Sequence, residues 1–186
     1  MAPSTRIYLT GFMGCGKSTL GPILANVLGY DFADLAAAIE AETRRSVQAI
    51  FAEDGEAAFR SIEAEALRRT ARRERLVVSL GGGALAREEN LQFALAHGTV
   101  VYLRVPTAQL VQRLQKSPTE RPLLQDEQGR PLSREALTEK IRTMLAAREP
   151  YYTRTHLTVD VGGRDVGQTV DAVVRALNRL HRQGRR

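Results

Sequence analysis

Short, almost wholly apolar runs closed by glycine or proline recur along the chain. Arg6-Ile7-Tyr8-Leu9-Thr10 ends at Gly11, and Leu76-Val77-Val78-Ser79-Leu80 ends at Gly81. Thr99-Val100-Val101-Tyr102-Leu103 ends near Pro106, residues 156–161 end at Gly162, and residues 30–34 form a weaker run of the same kind. Runs without polar alternation suit strands that are buried on both faces of a parallel sheet. The intervals carry helical spacing instead. After Ser18, the set Leu20, Ile23, Leu24, Val27 and Leu28 falls on one helical face, and Gly29 supplies the stop. Leu137, Ile141, Met144 and Leu145 predict a second helix that halts before Pro150, and Val166, Val170, Val173, Val174, Leu177 and Leu180 predict the last. Strands that alternate with helices predict a three-layer α/β/α domain around a five-stranded parallel sheet. Neither repeat nor linker interrupts the pattern, so residues 1–186 read as a single domain. The polar stretch from 115 to 134, with Pro118, Pro122, Gly129 and Pro131, is long for a loop and reads as either a lid or a disordered segment.

Composition narrows the class. The 186 residues are 43% apolar and 26% charged, an ordinary globular balance with room for one core. No apolar run approaches the roughly 18 residues of a membrane span. Cys15 stands alone, which excludes an internal disulfide and a cysteine-built metal site. The first residues show no signal core, so a cytoplasmic location is expected. The net charge is +6, and arginine supplies 24 of the 27 basic residues. Arg68, Arg69, Arg72 and Arg73 are interleaved with Glu63, Glu65 and Glu74, the pattern of a solvated helix face. Five Tyr, five Phe and no Trp offer little to stack on bases, so no specific nucleic-acid partner is expected. Neither a membrane nor a second copy of the chain is demanded, and a monomer is expected. His97, His156 and His181 stand singly, without metal-ligand spacing, and read as packing or surface residues.

The chemistry sits first in Gly11-Phe12-Met13-Gly14-Cys15-Gly16-Lys17-Ser18. This G-x-x-x-x-G-K-S run follows a predicted strand and opens a predicted helix, the context that a phosphate-binding loop needs. Backbone N–H groups at Gly14, Cys15, Gly16, Lys17, Ser18 and Thr19 can wrap phosphate oxygens, aided by the helix N-terminus. Lys17 should reach the terminal phosphates and the Ser18 hydroxyl should help to hold Mg²⁺. A merely structural turn would not require lysine and serine at those positions. Cys15 has no histidine to activate it and reads as a small filler.

Further along stand Asp34, Ile50-Phe51-Ala52-Glu53-Asp54-Gly55-Glu56, Phe59-Arg60-Ser61-Ile62-Glu63, Gly81-Gly82-Gly83, Arg121-Pro122-Leu123-Leu124 and Arg148-Glu149-Pro150-Tyr151-Tyr152. Together and in this order, with the phosphate loop, they resemble the shikimate kinases over nearly the whole chain. The resemblance implies a P-loop kinase fold with strand order 2-3-1-4-5, ATP as co-substrate, Mg²⁺ as cofactor and shikimate as acceptor, phosphorylated on its 3-hydroxyl. It implies that Arg60 and Arg148 bind the acceptor carboxylate, a task suited to planar guanidinium groups. Glu63, one helical turn from Arg60, would orient it. Gly82 resembles a position whose N–H meets the acceptor, and Phe51 and Phe59 would wall the pocket. Residues 35–63 would form the acceptor-binding lobe. Arg121 resembles a lid arginine that closes over the phosphates, and Arg113 and Arg164 resemble adenine-contacting positions. Asp34 would assist the metal.

One position departs from the family. Its members carry a D-x-D pair, of which the second aspartate accepts a hydrogen bond from the hydroxyl that is phosphorylated. Here the run reads Asp34-Leu35-Ala36. A charge-assisted hydrogen bond contributes about 1.5–3 kcal/mol, so Ala36 predicts weakened turnover with binding retained. Three readings stay open: a relative drawn to another hydroxylated acid, a kinase in which water or another side chain takes the proton, or an introduced Asp→Ala change. A non-catalytic nucleotide-binding module is the rival from another class.

Overall fold

The computed structural model describes residues 6–116, 124–126 and 128–183. Five strands, β1 (Arg6–Thr10), β2 (Asp31–Asp34), β3 (Leu76–Ser79), β4 (Thr99–Arg104) and β5 (Leu157–Asp160), pair in parallel in the order β2-β3-β1-β4-β5. Seven helices lie among the described residues: α1 (Lys17–Leu28), α2 (Leu35–Thr43), α3 (Val47–Thr70), α4 (Glu88–His97), α5 (Thr107–Lys116), α6 (Arg134–Tyr152) and α7 (Val166–Gln183). The predicted strands are all present, within a residue or two at their ends.

Side-chain alternation splits the sheet into two cores. Ile7, Leu9, Val77, Val101 and Leu103 face one way and pack with Leu20 and Leu24 of α1, Leu110 of α5, Ile141 of α6 and Val173 of α7. Tyr8, Leu76, Val78 and Val100 face the other way, against Ile39 of α2, Leu67 of α3 and Leu91 of α4. Two buried faces explain why the strands read as continuous apolar runs rather than as alternating ones. Each fully buried Leu or Val contributes about 1.5–3 kcal/mol. At Gly21 the α1 backbone comes so near β2 that a methyl group there would overlap the Phe32 ring.

Two features differ from the sequence expectation. Helix α6 does not stop before Pro150 but runs through it to Tyr152. Proline costs a helix interior about 3 kcal/mol, yet here it sits in the last turn. The carbonyl it orphans belongs to Ala146, which is exposed to water. Tyr152 is meanwhile wholly buried, stacks on Tyr102 at 4.8 Å and donates its hydroxyl proton to the Gly82 carbonyl. That anchor holds the turn beyond the proline. Helix α3 is broken at Gly55, whose φ of 84° and ψ of 172° are open only to glycine. After the break the segment starts beside the glycines that follow β3, where Arg60 and Glu63 lie, and ends beside the start of β1, where Thr70 meets the Tyr8 hydroxyl.

The order β2-β3-β1-β4-β5 places the loop after β1 where consecutive connections diverge to opposite sides. Such a switch point, beyond the carboxyl ends of the strands, is where open α/β sheets bind ligands.

Candidate active site

Glycines shape the loop after β1. Gly14 and Gly16 have φ of 79° and 103°, and Gly16 is the N-cap of α1. The left-handed turns free the backbone N–H groups to point at an anion, and α1 adds its partial positive charge. Lys17 is folded back over this loop, with its Nζ donating to the carbonyls of Gly11 at 2.8 Å and Phe12 at 3.2 Å. Cys15 is buried within the loop, its Sγ 3.5 Å from Lys17 Nζ.

Two cavities open onto this loop, and a third lies against the glycines after β3. The first, of about 280 Å³, is lined by Gly14, Cys15, Gly16, Thr19, Arg113 and Arg164 among others, and so gathers the residues expected around a nucleoside. Arg113 Nη1 lies 3.3 Å from the Gly14 carbonyl, and Arg164 Nη1 donates to the Asp160 carbonyl at 2.6 Å.

The second cavity, of about 400 Å³, is lined by Lys17, Ser18, Thr19, Asp34, Ala36 and Gly82 together with Ser79 and neighbouring loop residues. Asp34 serves two elements at once. Its Oδ1 caps α2 by accepting from the N–H groups of Ala36 at 3.0 Å and Ala37 at 3.3 Å, and its Oδ2 accepts from the Ser18 hydroxyl at 3.1 Å. These hard oxygen donors at the mouth of a phosphate loop fit Mg²⁺. Asp34 is the only carboxylate among the residues that line the chamber. Glu40, a turn beyond Ala36, is committed elsewhere, since its Oε1 accepts from the Val47 N–H at 2.8 Å and caps α3.

The third cavity, of about 750 Å³, is lined by Arg60, Arg87, Arg148, Glu56, Gly83 and Tyr151 among others. Arg60 Nη1 donates to Glu63 Oε2 at 2.7 Å, and the two side chains are 16% and 3% exposed. Burial pushes the Glu63 carboxyl above its ordinary range, while the charges of Arg60, Arg148 and Arg87 pull it back. Phe51 and Phe59 stand behind Arg60, outside this lining. Their ring centroids lie 4.6 Å apart with the planes tilted by 36°, and the guanidinium carbon lies 5.8 and 5.3 Å from their centroids. Nη1 of Arg148 is buried and has no hydrogen-bond partner among the described residues, a donor that needs explaining.

The triple glycine is explained by close approach. Methyl groups at Gly81, Gly82 and Gly83 would stand 2.7 Å from Glu63 Oε1, 3.2 Å from Arg148 Nη1 and 2.6 Å from Arg60 Nη2. The loop therefore lies directly against the cationic cluster. Arg121 lies outside the described residues, as do 117–123 of the expected lid. Sequence reasoning gave no role to Arg87, Glu56 or Tyr152. Arg87 stands four positions past the last glycine of the triple, which was a usable signal. No sequence pattern points to the Tyr152 hydroxyl.

The sequence profile described as shikimate kinase matches residues 13–178. The chain belongs to the shikimate kinase family. It is 49% identical over 177 residues to a shikimate kinase of Chlorobium phaeobacteroides, covering 95% of this chain and 93% of that protein. The crystal structure of shikimate kinase from Bacteroides thetaiotaomicron is similar at a TM-score of 0.86 and 34% identity, covering 94% of this chain and 98% of that one. Shikimate kinase from Acinetobacter baumannii in complex with shikimate is similar at 0.81 and 34% identity, covering 92% and 91%. A gluconokinase from Sinorhizobium meliloti shares the fold at a TM-score of 0.56 and 19% identity, covering 97% of this chain and 95% of that one. Family membership makes the chain a P-loop kinase, and ATP is the family's co-substrate.

Proposed function

We propose that the chain transfers the γ-phosphoryl group of ATP to the 3-hydroxyl of shikimate, with each of the three cavities holding one part of the reaction. The nucleoside occupies the cleft of Arg113 and Arg164, and the phosphates lie on the loop from Gly14 to Thr19. The acceptor sits against Gly82, its carboxylate toward Arg60 and Arg148. The observation that carries this reading is the unpartnered Arg148 Nη1, held 3.2 Å from where a Gly82 methyl would stand, beside the chamber that Lys17 lines.

The hydroxyl oxygen attacks the γ-phosphorus in line, the new O–P bond forms, and the bond to the departing ADP oxygen breaks. Such transition states are loose, so positioning and charge neutralisation dominate. Lys17 leaves its backbone carbonyls to meet the β- and γ-phosphate oxygens. Ser18 and Asp34 would hold Mg²⁺, which supplies neutralisation of phosphate charge when bound. Arg121, which follows α5 in sequence and resembles the family's lid arginine, would add a further phosphate contact. With alanine at 36, the one carboxylate among the described residues that line the chamber is Asp34, already engaged by Ser18 and α2, and the hydroxyl proton leaves to water. Turnover is accordingly slow, while the acid pocket keeps its binding groups.

Ala36 also favours a second reading, a module that binds nucleotide and acid without turnover. An acceptor panel decides between them. With Mg-ATP, the chain is expected to release ADP with shikimate and not with gluconate or quinate. Release with gluconate instead of shikimate would overturn the acceptor, and no release with any acid would favour the second reading.

A further inference from the structure

The acid pocket contains a cation that the proposed function does not use. Arg87 lines it with Arg60 and Arg148, against a single lining carboxylate, Glu56. These cations are not equally free. Every nitrogen of Arg60 is already engaged: Nε and Nη2 donate to Glu56 Oε1 at 3.2 and 3.1 Å, and Nη1 donates to Glu63 at 2.7 Å. Arg148 offers its unpartnered Nη1. The side chain of Arg87 is exposed and makes no hydrogen bond or ion pair with the described residues, although acidic residues follow it directly in sequence; its charge acts at longer range on the buried Glu63. Those carboxylates face elsewhere. Glu88 is held by Arg154 through both oxygens, at 2.6 and 2.7 Å, and Glu89 lies 3.9 Å from Arg68.

The placement of Arg87 is also locally unfavourable. It occupies the N-cap of α4 in an extended conformation and makes no side-chain cap. Helix N-caps prefer Ser, Thr, Asp or Asn, and a cation there opposes the helix dipole. A residue that breaks a local rule without local compensation marks a functional position. The cavity, at about 750 Å³, leaves room for a ring acid to be met from the α4 side as well as from α6.

We propose that Arg87 is a specificity-determining residue of the acid pocket, which together with Arg148 grips the carboxylate of the bound ring acid. The inference rests on the assignment of this cavity to the acid acceptor. Arg60, fastened by Glu56 and Glu63, presents a fixed guanidinium to the carboxylate, and Arg87 and Arg148 add to the selection of an anion over a neutral ring.

The test is calorimetric titration of the full chain with shikimate and, separately, with its uncharged methyl ester. Arg87→Ala is expected to weaken shikimate binding about fivefold, the scale of one partly exposed charge pair. It should leave methyl-ester and ADP binding within twofold, and Arg87→Lys should recover part of the loss. Unchanged shikimate affinity in Arg87→Ala, or an equal loss for the ester, overturns the inference. Arg148→Ala is run beside it. If Arg148→Ala weakens shikimate and Arg87→Ala does not, only the role of Arg87 fails. If neither weakens it, the assignment of the cavity fails as well.

Discussion

Restoring a carboxylate by Ala36→Asp should accelerate the chain, and the geometry bounds the gain. Residue 36 lies in the first turn of α2, two residues past the Asp34 cap, and its side chain lines the chamber that Lys17 and Gly82 also line. A carboxylate there gains about 0.3–1 kcal/mol from the helix N-terminus, a gain offset by repulsion from Asp34 two positions back. The fold should therefore tolerate the change with little shift in melting temperature. A charge-assisted hydrogen bond to the reacting hydroxyl contributes about 1.5–3 kcal/mol, which is roughly 10- to 150-fold in rate. Neither nearby carboxylate among the described residues can duplicate it, since Asp34 is tied to Ser18 and α2 and Glu40 is tied to the Val47 N–H. The assay couples ADP release to NADH oxidation at saturating Mg-ATP and shikimate. Glu40→Gln is the control and should match the parent. Parent and Ala36→Asp agreeing within a factor of about three would refute the reasoning, because another group would then serve the hydroxyl.

Other outcomes follow from the same geometry. Lys17→Met should lower kcat by about 10²–10³-fold, the scale of losing one charge-stabilising donor, as read in the Ala36→Asp background where turnover is ample. Tyr152→Phe removes the donor to the Gly82 carbonyl and should cost about 1–3 kcal/mol in urea unfolding, raising KM for shikimate more than it lowers kcat. Stability should also depend on His156. Its Nδ1 accepts from the Val100 N–H at 3.0 Å, and burial holds its pKa below the ordinary 6.5. The unfolded chain therefore takes up that proton first, so the contribution is full above pH 6.5 and is lost as pH falls through the lowered value. Urea midpoints measured between about pH 5 and 7.5 should slope less in His156→Gln than in the parent.

Much of the fold was legible because two buried sheet faces leave little freedom in the sequence. Leu76, Val77 and Val78 alternate between two cores, and each must be apolar. The phosphate loop was equally plain, since its chemistry demands glycine, lysine and serine at set spacings. Helix α6 was misread at its end because local propensity at Pro150 is overridden by a distant anchor, the Tyr152 hydroxyl on Gly82. The same holds for the acid pocket. That Arg60 and Glu63 pair is visible as a one-turn spacing, but the engagement of the remaining Arg60 nitrogens by Glu56 depends on how α3 resumes after Gly55. The freedom of Arg87 depends on Glu88 turning to Arg154, a partner 66 positions away.

The central claim is that phosphate passes from ATP to the ring acid held between the Gly82 loop and the guanidinium groups. Phosphorus NMR of the parent chain with Mg-ATP and shikimate follows that transfer directly. The account predicts a phosphomonoester resonance that grows slowly and in step with ADP, and that grows faster in Ala36→Asp. ADP accompanied only by inorganic phosphate, or no new resonance in either protein, would contradict it.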